Sequence, residues 1–281
     1  MKTYKLGAQI PALDNVNTLS PLSSNELDIE RMSVHRCYIG VTDDKVPSYY
    51  TGIEDCTSVA IADGLNVLSY SRYKTNSSIQ VKDVIKFYSE TTGYNPDNPL
   101  TDRGGDPTKV LWFLENEGFT SHFHPFKTDS YDYTYHGFSG VIPKDGAYNF
   151  KIAKAIETFG FVYACLNLLE CDETIALNDT EVFTLSSDKK KWVWGGHVVA
   201  LVGYVGLLPQ DWVYFISWGK LRKATWEWFY SRSVVSFGII FRYLTFKNDE
   251  DFVLYLKQWK NLSIEGNMNG YKGKEKPVYM S

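Results

Sequence analysis

The chain has 281 residues, of which 44% are apolar and 22% charged, and its net charge is −4. This composition excludes a disordered chain, a collagen-like repeat and a coiled coil, and the length suffices to bury a core without disulfide staples. A mildly acidic balance gives no electrostatic drive toward nucleic acid or anionic lipid, so neither is expected as a partner.

Residues 1–50 carry little periodicity and many turn formers, and read as an extended N-terminal arm lying across a body. No apolar segment follows Met1-Lys2-Thr3-Tyr4-Lys5-Leu6-Gly7, so no signal peptide is expected and the setting reads as a reducing cytoplasm. Residues 57–73 predict the first helix, with Ile61, Leu65 and Leu68 on one face and Asp55 ahead as a cap. Residues 81–92 predict a second, ended by Gly93. A proline-rich loop, Tyr94 to Pro99, leads to a third helix opened by Asp106-Pro107 and stopped by Gly118. The period then changes. Residues 119–143 alternate and are aromatic, which predicts strands; 148–159 predict a helix ended by Gly160, and Phe161 to Leu168 a strand.

Residues 170–191 are polar and read as a loop. Val198 to Val205 and Trp212 to Ser217 predict a hairpin, Thr225 to Ser231 a short helix and Val234 to Leu244 a last strand. The most apolar stretch, Val193 to Pro209, is too short to span a bilayer. Asp249 to Lys260 predict a final helix before a polar tail. Helices first and mainly antiparallel strands after them make an α+β protein. The domain layout expected is an arm over 1–50, a body over 51–244, and a C-terminal helix and tail over 245–281. An aromatic content of 16%, with 20 tyrosines, points to an aromatic core, with an interface as the other use.

Three segments carry chemistry. Cys56 opens the first helix, in Asp55-Cys56-Thr57, where the helix N-terminus favours the thiolate. His197 opens an apolar strand behind Gly195 and Gly196, which let another backbone approach closely. Ser217-Trp218-Gly219 ends the next strand. A helix-borne cysteine with a histidine on a distant strand can make a thiolate–imidazolium nucleophile. The same residues taken singly read as an inert buried thiol, a core histidine and a strand end.

In that order and layout the three segments resemble the papain-like cysteine peptidases. The likeness is strongest to a branch encoded by phages and bacteria, through Asp55-Cys56-Thr57, Gly93-Tyr94-Asn95-Pro96, Thr101-Asp102-Arg103-Gly104 and Gly195-Gly196-His197. It spans roughly residues 5–243 and leaves the last forty residues uncovered. The resemblance implies a papain-like fold, Cys56 as nucleophile, His197 as base and a peptide or protein substrate. It also implies a phage source, with a host-cytoplasm or virion setting. Two positions depart from the pattern. Ile216 stands where the family has an orienting Asn, and Tyr50 and Thr51 where it has a Gln or Asn for the oxyanion. Thr51 offers a hydroxyl for the oxyanion, Ser217 one for the oxyanion or the imidazole, and Asp102 and Trp218 are expected to line the cleft. Strand alternation points Ser217 to the opposite face from Ile216, and Asp211 falls about 20 Å away near the hairpin turn.

Weaker signals complete the reading. His35 with Cys37 and His122 with His124 lack metal-site spacing, so no metal is expected. Cys165 and Cys171 could bridge a loop, though not in a reducing compartment. No phosphate-binding loop occurs, so no nucleotide or other cofactor is expected. Two functions remain open: a Cys56/His197 hydrolase of a peptide or isopeptide bond, or a catalytically degenerate papain-fold protein in a virion or host interaction, which would need a partner or self-assembly.

Overall fold

A computed structural model describes residues 6–8, 36–38, 49, 52–73, 79–121, 133–177, 182–185 and 192–241. The expected helix at 249–260, the tail, Thr51, His35, His122 and His124 lie outside the described residues. In chain order the elements are β1 (Arg36–Tyr38), α1 (Cys56–Tyr73), α2 (Val81–Thr92), α3 (Pro107–Asn116), β2 (Phe119–Ser121), β3 (Tyr133–Tyr135) and β4 (Gly137–Ile142). There follow α4 (Tyr148–Phe159), β5 (Val162–Leu169), α5 (Glu170–Leu177), β6 (Val182–Phe183), β7 (Val193–Val205), β8 (Trp212–Ser217), β9 (Lys220–Thr225), α6 (Trp226–Arg232) and β10 (Ser233–Phe241).

Eight strands form one sheet in the order β4-β10-β5-β7-β8-β9-β6, with β1 also on β7 and only the β6–β9 pair parallel, while β2 and β3 form a separate antiparallel pair. Helices cover both faces. Residues of α1, α2 and α3 pack with Cys165, Val198, Ala200 and Ile216 on one side. Those of α4 and α6 pack with Leu166, Val199, Leu201 and Phe215 on the other. Neighbours along a strand alternate between the two cores, as the pleat requires. Most of the aromatic content fills these cores, while Trp112 and Trp192 stay exposed.

Local chemistry sets the element ends. Gln80 and Asp83 form a capping box at α2, whose chain leaves through Gly93 at φ 78°. At α3 the Asp106 carboxylate accepts the Thr108 N–H, and Pro107 fills the first turn. Helix α1 is different. From Asp55 to Ser69 every residue but Val59 is buried, so it is a central helix rather than an amphipathic one. Gly64 permits this, because a Cβ there would lie 2.3 Å from the Phe161 ring.

One expectation is corrected and one element was missed. The polar segment after residue 169 is not all loop, since α5 occupies Glu170–Leu177. Its first turn carries Glu170, Asp172 and Glu173 against the helix dipole. The buried Asp172 accepts from Leu169 N–H, Trp228 Nε1 and Arg232 Nε at 2.8, 2.7 and 2.7 Å. Strand β9 was not legible as a strand either. Its Lys220, Arg222 and Lys223 obscure the alternation, but it pairs along all of β8.

Candidate active site

Helix α1 delivers Cys56 to the sheet. The Asp55 carbonyl accepts the N–H groups of Ser58 and Val59, and Tyr163 OH on β5 donates to the Thr57 carbonyl at 3.2 Å. The helix start is thereby tied to the strand beside β7. Cys56 and His197 line one small cavity of about 20 Å³, with Ile53, Asp55, Val59, Asp63, Val198, Ile216, Ser217 and Trp218.

The imidazole is held on two sides. His197 Nε2 lies 2.7 Å from Ser217 Oγ, and the Trp218 ring stacks on the imidazole at 4.6 Å and 6°. Ser217 does sit on the face opposite Ile216, but His197 alternates onto that same face of β7, so the two meet. The strand ends there because Trp218 takes a left-handed φ of 52°. His197 Nδ1 has no hydrogen-bond partner among the described residues. Asp211 sits at the β7–β8 turn, where its carboxylate accepts the Leu208 N–H.

Asp102 lies behind the cleft wall rather than on the cavity. Its Oδ1 accepts the Glu54 N–H at 2.9 Å and the Tyr88 hydroxyl at 3.0 Å. Tyr88 OH in turn accepts the Gly104 N–H at 3.1 Å.

The N-terminal residues complete the site in a way that the sequence did not show. Leu6-Gly7-Ala8 runs between the two glycine pairs, bridged at Ala8. Gly105 N–H donates to the Gly7 carbonyl at 2.6 Å, and Ala8 N–H donates to the Gly196 carbonyl at 3.1 Å. Ala8 bridges Gly105 in parallel and Gly196 antiparallel. Gly7 is buried, and its backbone hydrogen-bonds to the Cys56 sulfur, as does that of Val198. The signal for this seat was the two Gly-Gly pairs facing one another across the cleft.

Burial decides the charge state. It pushes the Cys56 thiol up to about 12, against the pull of those two backbone contacts. It drives His197 down to about 3. The covered pair is therefore neutral, and the thiolate expected from the helix N-terminus is overridden by exclusion of water. Asp63, which sequence reasoning missed, is raised well above the usual carboxylate range by burial and then by Asp55, and its Oδ1 has no hydrogen-bond partner among the described residues. Its position seven residues after Cys56, two helical turns along the same face, was the available clue.

Among the described residues no group of three or more His, Cys, Asp or Glu is placed to hold a metal ion, and no helix is long and apolar enough to cross a membrane. Cys165 and Cys171 are free thiols.

Neither a protein-family model nor a curated protein matches the chain. Solved structures do. Xylellain, a cysteine protease from Xylella fastidiosa, matches at TM-score 0.58 and 13% identity over 85% of this chain and 98% of its own. Procathepsin B S9 from Trypanosoma congolense matches at 0.56 and 10% over 84% and 86%. This chain has the papain-like cysteine protease fold. Digestive procathepsin L2 from the Tenebrio molitor larval midgut is also similar, at 0.55 and 12% over 84% and 78%. At these identities the likeness is one of fold.

Proposed function

We propose that the protein is a papain-like thiol hydrolase that cleaves a peptide or isopeptide bond with Cys56 and His197. The observation that carries this reading is that Cys56 and His197 line one cavity, where Ser217 and Trp218 hold the imidazole and its Nδ1 is unpartnered among the described residues. The chemistry requires the tautomer in which Nε2–H donates to Ser217 Oγ, leaving the Nδ1 lone pair as base. His197 lies on the Leu166 face of the sheet and Cys56 packs on the other, so the imidazole turns toward α1 before Nδ1 takes the Cys56 proton as sulfur attacks the carbonyl carbon. The oxyanion is met by the Cys56 backbone N–H, since the first N–H groups of a helix lack intrahelical partners. Collapse breaks the C–N bond, and imidazolium protonates the leaving amine. Water then hydrolyses the thioester, with His197 again as base. Ser217 supplies the orienting contact that Ile216 cannot, and Thr51 is proposed as a second oxyanion donor.

In the form described here the site is shut by Leu6-Gly7-Ala8, and opening must precede turnover. The phage setting goes with the motif resemblance and belongs to the same proposal. The competing reading is a papain-fold binding or virion component without turnover. It draws on Ile216 and on the neutral Cys56/His197 pair. The two readings differ in one observable. After the strand is displaced, an enzyme's Cys56 alkylates below the ordinary thiol pKa in a His197-dependent way, and a relic's does not. If Cys56→Ala leaves peptidase turnover intact, the mechanism is wrong.

A further inference from the structure

The strand seated in the cleft also shows what the cleft admits. Its backbone hydrogen bonds, from Gly105 N–H and to the Gly196 carbonyl, would hold any extended peptide and carry no sequence information. Selection comes from the space around Gly7. A Cβ on Gly7 would sit 1.9 Å from the Glu54 carbonyl oxygen and 2.4 Å from its carbon. Both are backbone atoms, so no rotamer relieves the clash. Nor can the Glu54 backbone step back freely. Its N–H is held by Asp102, which is braced by Tyr88, and Tyr88 is tied to Gly104. The opposite walls are equally close, since a Cβ on Gly104 would lie 2.0 Å from the Gly7 carbonyl oxygen and one on Gly196 2.0 Å from that of Ala8. The flanking seats differ from the central one. Leu6 packs against the aromatic core beside Gly195, and Ala8 packs against the core under α1.

We propose that the cleft is glycine-selective: it takes an extended peptide or isopeptide strand with glycine beside Cys56, an apolar residue before it and a small residue after it. The proposal deepens the hydrolase reading and rests on it for the assumption that substrates enter where Leu6-Gly7-Ala8 now lies. Asp102 is then a positioning residue for specificity, acting through the Glu54 carbonyl.

The test uses the full chain carrying Gly7→Val and Cys56→Ser, so that its own strand is displaced and binding is read without turnover. An intact tethered strand would compete at high effective concentration. Two fluorescent peptides are titrated by anisotropy. One is acetyl-Lys-Leu-Gly-Ala-Gln-amide, which copies residues 5–9, and the other has Ala for Gly. The glycine peptide is expected to bind roughly tenfold or more tighter, as forced overpacking implies. Asp102→Ala is expected to shrink that ratio, whereas a merely structural Asp102 would lower the melting temperature and leave the ratio alone. Should Gly7→Val fold poorly, Gly7→Ala adds a single methyl and must give the same ranking. Equal affinities, or no binding of either peptide, overturn the proposal. Selective binding by a chain that never cleaves the glycine peptide when Cys56 is restored leaves the glycine cradle standing and removes the hydrolase reading.

Discussion

Replacing Ser217 with alanine tests the hydrogen bond that fixes the tautomer of the base. Ser217 Oγ lies 2.7 Å from His197 Nε2, and both side chains are 3% exposed. The variant leaves a buried ring nitrogen without its partner, which costs about 1–3 kcal/mol of stability. Trp218 still stacks on the ring at 4.6 Å, so the imidazole stays in place but loses its fixed tautomer. The loss of aim is worth about one to two factors of ten in rate, at about 1.4 kcal/mol for each. The assay is alkylation of Cys56 against pH in a Gly7→Val background, where the thiol is open, with and without Ser217→Ala. The rate below pH 8 is expected to fall roughly 10- to 100-fold, and the apparent thiol midpoint to rise. Ser217→Thr, which keeps the hydroxyl, is expected to restore both. A Ser217→Ala chain that melts earlier but alkylates with an unchanged rate and midpoint refutes the reasoning, because Ser217 would then be packing only.

Further outcomes follow from the same geometry. Gly7→Val in the otherwise native chain should raise Cys56 alkylation at neutral pH by at least about tenfold through exposure and a lower thiol pKa; an unchanged rate would mean that the strand does not cover the thiol. His197 is held at about 3 when folded against 6.5 when free, so the unfolded chain binds the extra proton between those values and stability falls as pH drops below 6.5. That loss is about 1.4 kcal/mol per pH unit, and His197→Gln should remove it from urea melts at pH 4–7. Asp63 works in the opposite sense, since its folded pKa is raised and stability is lost as pH climbs above its ordinary value of 3.8. Asp63→Asn should therefore be more stable than the native chain at pH 7, and equal stability would show that the carboxyl is compensated. Asp172→Ala leaves the buried Arg232 without its carboxylate and should cost about 3–5 kcal/mol in denaturant unfolding.

The helices and the hairpin were legible because local signals and tertiary structure agree there. Asp106-Pro107 caps α3 as its sequence says, and Gly93 and Gly160 end α2 and α4 in left-handed conformations. Cys56, His197, Ser217 and Trp218 were found by type and order, and the structure gathers them round one cavity. What stayed hidden depends on partners far away in sequence. Helix α5 is polar in composition and is held by Asp172 reaching Trp228 and Arg232 across the fold. Asp102 is a loop acid whose role comes through Glu54 and Tyr88, far from it in sequence or on another element. Ser217 is an orienting candidate in the sequence, although alternation turns it away from Ile216. The pairing of Leu166 with His197 puts the imidazole on that same face, and the register follows from sheet pairing rather than from any local pattern. The seat of Gly7 joins residues about a hundred and two hundred positions apart, which no window of sequence contains.

The most direct measurement is the pH dependence of Cys56 alkylation in Gly7→Val and in Gly7→Val with His197→Ala, with the labelled cysteine located by peptide mass. Locating it matters because Cys171 is also a free thiol. The account predicts reaction well below the ordinary thiol pKa of about 8.5 in the first chain and loss of that reactivity in the second. A midpoint at or above 8.5 in both chains, unchanged by His197, would contradict a working Cys56/His197 pair and leave a papain fold used for binding.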